Sequence, residues 1–369
     1  MSRRLRRRQI PMSPFMRAAL AIIAIAVWVS TVPGPAPWAG DAGEGSQRAF
    51  HSAPQHPALL AGFVARPPWQ VAGVDYPVGV PPQVLLKAPN AENLPKGTAL
   101  RPEAIHIIGP DVTLDGYDLT DLTVMIDDSA SGTVTIKNCG ASKGVVIRST
   151  VDATAQVIVS HCTLDGGGMA SDPNFQIIKV WCPLTVTYSW IKNGPGGIQS
   201  SASLIARYNL LEGFAWSPGA HANAIYIRGT HNKADRAIIE YNTIYSQSAR
   251  NEENLPVGIG AAIAFFGDGG NFYNSTVSRN VVIAALPGAA SYLIGFYVPT
   301  HASATGGKIT YNYLASVNGF NRTDSGAFGA FYPRSPGLEQ ADYSANVDMN
   351  TGRTIAGLQS HKRTTSPSR

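Results

Sequence analysis

The stretch VTIKNCGA, residues 134–141, alternates apolar and polar side chains and then breaks on small residues. The same order recurs along the chain: apolar, polar, apolar, polar, variable, small or Asn, variable, apolar. Before this stretch comes VTLDGYDL (112–119). After it come VIVSHCTL (157–164), LTVTYSWI (184–191), LIARYNLL (204–211), AIIEYNTI (237–244), STVSRNVV (275–282) and GKITYNYL (307–314), with EQADYSAN (339–346) as a weaker last copy. The sixth column holds Tyr117, Cys139, Cys162, Ser189, Asn209, Asn242, Asn280, Asn312 and Ser344, at steps of 22, 23, 27, 20, 33, 38, 32 and 32 residues.

A kept pattern at uneven steps describes stacked coils joined by turns of different length. Period-two alternation with Val, Ile, Thr and Tyr is a strand signature, and no 3.6-residue amphipathicity of a helical repeat accompanies it. One coil cannot bury its inner face alone, whereas a stack makes one continuous apolar core. The expected fold is therefore all-β: a right-handed parallel β-helix of about nine coils, roughly 40 Å long at about 4.8 Å per coil. A buried Asn at a bend can bond to the same residue one coil away. Cys139, Cys162 and Ser189 are small enough for the same niche, with a Cys139–Cys162 bridge as the alternative to free buried thiols; Cys182 lies off the column.

The blocks VTLDGYDL, VTIKNC and IIEYNTI resemble the repeats of the pectate-lyase-like superfamily of right-handed parallel β-helix proteins, over residues 112 to 346. That resemblance implies the fold. For function it leaves polysaccharide lyases, glycoside hydrolases, epimerases, phage tailspikes and adhesins open.

The flanks divide the chain further. Residues 1–42 carry an Arg-rich start and an apolar run from Ala18 to Val29, the layout of an export signal, with an uncleaved membrane anchor as the alternative. Residues 43–60 read as a Pro/Ala/Gly-rich linker, 61–105 with WQVAGVDYPVGV (69–80) as an N-terminal cap, 106–350 as the β-helix and 351–369 as a tail. The expected location is secreted or periplasmic, or anchored in the inner membrane and facing the periplasm. Of 29 basic and 24 acidic residues, six basic ones and one acid precede residue 43, leaving 29 − 6 = 23 against 24 − 1 = 23. A neutral body gives no nucleic-acid footprint, so no nucleic-acid partner is expected, and membrane contact only through the N-terminal segment.

A second strand precedes each block: IKV (178–180), IQS (198–200), IYI (225–227), IAF from Ile263 and IGF from Ile294. With Ile178, Ile198, Ile225, Ile263 and Ile294 turned inward, Lys179, Gln199, Tyr226, Ala264 and Gly295 form one outward row, and Trp181, Ser201, Arg228, Phe266 and Tyr297 the next. Aromatic rings suit the apolar faces of sugars, and Lys and Arg suit carboxylates. A β-eliminating lyase needs a base and a cation, so Lys179 is the candidate base and Arg228 the candidate stabiliser. His221, in PGAHANAIYIRGTHN (218–232), is the candidate proton carrier, with turn capping by His221 and Asn223 as the competing reading. Trp181, Gln199, Asn223, Tyr226, Phe266 and Tyr297 are the candidate substrate contacts. Where similar β-helix sequences carry a His-x-Asp, this chain has Asn223, which cannot serve as acid or base.

Hydrolysis ordinarily needs two carboxylates at a set separation. The acids here are scattered, and Asp127-Asp128 is expected far from the aromatic face. No cofactor or structural metal is expected; Asp165 and Asp172, flanking a Gly-rich turn, are a weak Ca²⁺ candidate. The resulting expectation is an exported protein that binds an acidic polysaccharide, with cleavage by β-elimination as its catalytic form. A non-catalytic glycan-binding or cell-envelope structural protein is the alternative, and a glycoside hydrolase or sugar epimerase the second.

Overall fold

The computed structural model describes residues 53–167, 176–214, 222–230, 232–246, 249–250, 256–267, 270–286, 289–297, 304–317, 329–332 and 341–355. The expected export segment (1–42), His221, Asp172 and residues 356–369 lie outside them. The described residues contain no α-helix. Three long sheets carry the chain in rotation, and the strands of each coil pair in parallel with those of the next. Sheet 1 has ten strands, all parallel except the first pair; sheets 2 and 3 have eight strands each. This is the stacked arrangement of a parallel β-helix, compatible with the right-handed winding that parallel crossovers favour.

The repeats set the register. Val134, Val157, Leu184, Leu204 and Ala237 stand in line on sheet 2, and Leu164, Ile191, Leu211, Ile244, Val282 and Leu314 on sheet 3. Most of these side chains are fully buried, in one core cluster with the inward isoleucines of sheet 1. Each such side chain contributes about 1.5–3 kcal/mol on burial, so a charge at any of them would break its coil.

The bend from sheet 2 to sheet 3 has a two-residue mechanism. Its first residue lies in the left-handed region: Gly116, Asn138, His161, Tyr188, Tyr208, Tyr241, Arg279, Tyr311 and Ala345 have φ between +49° and +69°. The second turns inward and continues a hydrogen-bond ladder. Asn209 donates both its backbone N–H and its Nδ2 to Asn242 Oδ1 (3.1 and 2.9 Å). Asn242 does the same to Asn280 (3.0 and 3.0 Å) and Asn280 to Asn312 (3.0 and 3.0 Å). Each amide also donates to a carbonyl of the sheet 2 strand one coil back, as Asn280 does to Ile239 O at 2.8 Å. Ser189 Oγ extends the ladder by accepting from Cys162 N (3.2 Å).

One expectation is corrected here, and one alternative is closed. The last rung is Asn346 rather than Ser344: Asn312 donates to Asn346 Oδ1 at 3.0 and 2.9 Å, and Ala345 rather than Tyr343 takes the bend. Ser344 and Asn346 could each donate and accept, and the backbone register, with Val347 paired to Tyr313, places Asn346 on the ladder. The cysteines are all free and buried. Cys139 Sγ and Cys162 Sγ instead donate to Lys137 O (3.2 Å) and Ser160 O (3.3 Å), and burial pushes the Cys162 thiol up.

Only part of the expected N-terminal cap lies over the end of the stack. Leu94 packs on the core there, Tyr117 donates its hydroxyl to Asn93 O, and Thr98–Arg101 pairs antiparallel with Ala104–Ile107. Residues 65–87 instead run lengthwise along sheet 3 as a strap. Ala65 N bonds Met349 O, Thr243 Oγ1 bonds Ala72 O, Val80 N bonds Thr163 Oγ1 and Lys87 N bonds Gly116 O. The reason is the outer face of sheet 3, which is apolar over part of its extent: Leu60, Val71 and Val74 cover Val281, Ile283 and Ala315, and Ala72 and Val78 cover Leu210. A sheet apolar on both faces must be covered on both. Gly79, at φ +94°, brings the strap so close that a Cβ would stand 2.4 Å from Thr163 Oγ1.

Candidate functional site

Sheet 1 is the sheet whose outer face carries mixed chemistry. Its register places Ile178, Ile198, Ile225, Ile263 and Ile294 in one line, all buried, as the alternation of IKV, IQS and IYI predicts. Lys179, Gln199, Tyr226, Ala264 and Gly295 therefore form the next line, and Arg228, Phe266 and Tyr297 stand together in the line beyond. Ser201 N bonds Val180 O, which sets Trp181 and Ser201 in that same outer line.

The aromatic half is packed against itself. Phe266 and Tyr297 stack at 4.5 Å with an interplanar angle of 8°, and Tyr226 meets Phe266 edge-on at 4.9 Å. Gly295 makes room for this shelf, since a Cβ there would lie 2.9 Å from the Tyr297 ring. Arg228 lies over the Trp181 ring at 5.3 Å, a cation–π contact that spans the Ser201 strand. At the corner towards sheet 2 lies a shallow surface groove lined by Arg228, Arg236, Asp235, Asn271 and Tyr273.

The predicted residues are not equally placed. Lys179, Trp181, Tyr226, Arg228, Phe266 and Tyr297 are half-buried on the outer face. Gln199 is 6% and Asn223 1% exposed. Asn223 begins a strand rather than sitting in a turn, and its Oδ1 accepts from Ala261 N at 3.1 Å. Its amide thus joins neighbouring strands rather than capping a turn. His221 and Asp172 are outside the described residues. Asp165 is engaged by Lys192 (3.6 Å), Asn193 Nδ2 (2.9 Å) and Gly167 N (2.9 Å). Among the described residues no three His, Cys, Asp or Glu side chains gather as metal ligands would.

Three residues of the same face escape the sequence reading. The inner line of sheet 1 continues towards the N-terminal coils as His106, Met125 and Arg148, with Arg148 paired to Lys179. His106 Nδ1 is bonded to both oxygens of Asp127, at 3.0 and 3.2 Å. Asp127 thus lies on the same sheet as the aromatic shelf, at its opposite end. The missed signal is the pair of strands AIHI (104–107) and VIRS (146–149), which share the alternation of IKV.

No protein-family model, curated protein or solved structure matches the chain.

Proposed function

We propose that the outer face of sheet 1 binds an acidic polysaccharide and cleaves it by β-elimination, in an exported member of the pectate-lyase-like superfamily. The observation that carries this reading is the register of sheet 1, which lines up Lys179 and Arg228 with Trp181, Tyr226, Phe266 and Tyr297 across consecutive strands. Sugar rings pack on the aromatic shelf, and uronate carboxylates meet the cations. Lys179 removes the proton on the carbon beside the carboxylate, and Arg228 stabilises the resulting anion. The electron pair then forms a carbon–carbon double bond as the glycosidic C–O bond breaks, and the leaving oxygen takes a proton. No cofactor enters these steps.

The full chain incubated with a panel of acidic and neutral polysaccharides tests this, with ultraviolet absorbance and reducing ends followed together. Both rise for acidic polymers if the reading holds. Lys179→Met then loses about 100-fold or more in turnover while keeping its affinity, as removal of a general base does. Reducing ends without absorbance mean a hydrolase. Binding without either signal means a glycan-binding module.

A further inference from the structure

Arg148 is the cation of this face that its surroundings leave unexplained. It is half-buried, its Nε is enclosed without a hydrogen-bond acceptor, and no carboxylate among the described residues pairs with it. Asp127, which follows the strand of Met125, is bonded to His106 and forms no ion pair with Arg148. A guanidinium is planar, always charged and built for a forked bond to a carboxylate. One held partly out of water without such a partner suits an anion from outside the chain.

His106 supplies the second half of a pocket. With Nδ1–H given to Asp127, the ring is fixed and Nε2 is the nitrogen that remains for a ligand, as an acceptor for a hydroxyl. His106, Met125, Arg148 and Lys179 occupy one line on four successive strands. Strands stand about 4.8 Å apart, so His106 lies about 10 Å from Arg148 along the sheet, with the apolar Met125 between. A guanidinium donor and an imidazole acceptor separated by an apolar floor complement what one acidic sugar presents: a carboxylate, a hydroxyl and a ring face.

We propose that Arg148, Met125 and the His106–Asp127 pair form a subsite for an acidic sugar, extending the Lys179 centre towards the N-terminal coils. Arg148 takes the carboxylate and His106 Nε2 a hydroxyl. This rests on the acidic-polysaccharide reading above and adds where the next sugar lies. It predicts that affinity rises with oligomer length until the chain spans from Lys179 past Arg148 to His106, about 14 Å along the sheet at about 4.8 Å per strand.

The test is calorimetric titration of the full chain with length series of galacturonate, mannuronate and glucuronate oligosaccharides, from the dimer upward, and with carboxyl-reduced copies. For wild type the affinity rises once the oligomer covers both positions, and the carboxyl-reduced series shows no such rise. Arg148→Met abolishes the rise and weakens long oligomers about 10-fold; His106→Gln removes a smaller part. Arg148→Lys, which keeps charge and stem but loses the fork, guards against a folding defect and loses part of the rise at an unchanged melting temperature. A length-dependent gain that survives Arg148→Met overturns the subsite alone. Failure of every oligomer to bind wild type overturns the underlying reading and the subsite with it.

Discussion

Asn280 shows how much one side chain carries in this fold. It is fully buried, accepts two bonds from Asn242 and donates to Ile239 O and Asn312 Oδ1. Asn280→Ala removes the acceptor of the Asn242 backbone N–H and of one Nδ2 hydrogen, and the donor to the Ile239 carbonyl, inside the core. Each such buried group costs about 1–3 kcal/mol, so the expected loss is about 2–4 kcal/mol in urea unfolding. Asn280→Ser is expected to lose less, because the Ser189 hydroxyl already accepts from the coil before it at 3.2 Å. Equal losses for Ala and Ser would refute the ladder as the source of stability. At this scale the sequence reads well, since an inward Asn recurring in one column has few other uses. It misleads at the last repeat, where Ser344 and Asn346 both fit the composition and only backbone register separates them.

Among elements, the corner between sheets 2 and 3 behaves differently from what its sequence column suggests. The position before each Asn reads as variable, yet His161, Tyr188, Tyr208 and Tyr241 stack there at 5.0–5.1 Å, one ring per coil. Arg279 then continues the column between Tyr241 and Tyr311, at 5.8 and 5.3 Å from their ring centroids. These rings cover one another's faces, so the ladder braces the corner and offers a sugar little more than ring edges. All of these residues hold positive φ, which costs about 1–2 kcal/mol for any residue but Gly. Tyr208→Ala loses two stacks and keeps the strain, whereas Tyr208→Gly loses the stacks and relieves it. Gly is therefore expected to be the more stable variant by about 1 kcal/mol, the reverse of its usual rank in a strand, and thermal melts of the pair decide. Sheet 1 was legible from Ile178 onward because Ile recurs at one register position of each strand. His106 and Arg148 were missed because AIHI and VIRS precede the first clear copies of that pattern, and because pairing of His106 with Asp127 is a contact between coils that no spacing announces.

For the whole molecule the open question is what makes a stack of coils unfold as one. In a solenoid each coil touches only its neighbours, so cooperativity rests on nearest-neighbour interfaces. This chain adds the strap, whose contacts reach from Gly116 at one end to Met349 at the other. WQVAGVDYPVGV was expected to close one end because its apolar residues need cover. A local pattern cannot say whether that cover comes from the end of a core or from the outer face of a distant sheet. The strap ties coils that share no other contact, so it should hold the C-terminal coils to the stability of the rest. Val71, 2% exposed against Val281, Ile283 and Ala315, is the point to test. Val71→Asp buries a carboxylate without a partner, and the strap must lift to hydrate it. Wild type is expected to unfold in urea in a single transition, and Val71→Asp in two. Amide hydrogens of Val281–Ala284 and Tyr313–Ser316 should exchange first, ahead of those in Val134–Ile136, where the stack alone is enough. If Val71→Asp merely lowers the midpoint of a still single transition, the coils are coupled through the stack and its Asn ladder. The strap would then serve only to keep the apolar outer face of sheet 3 from water.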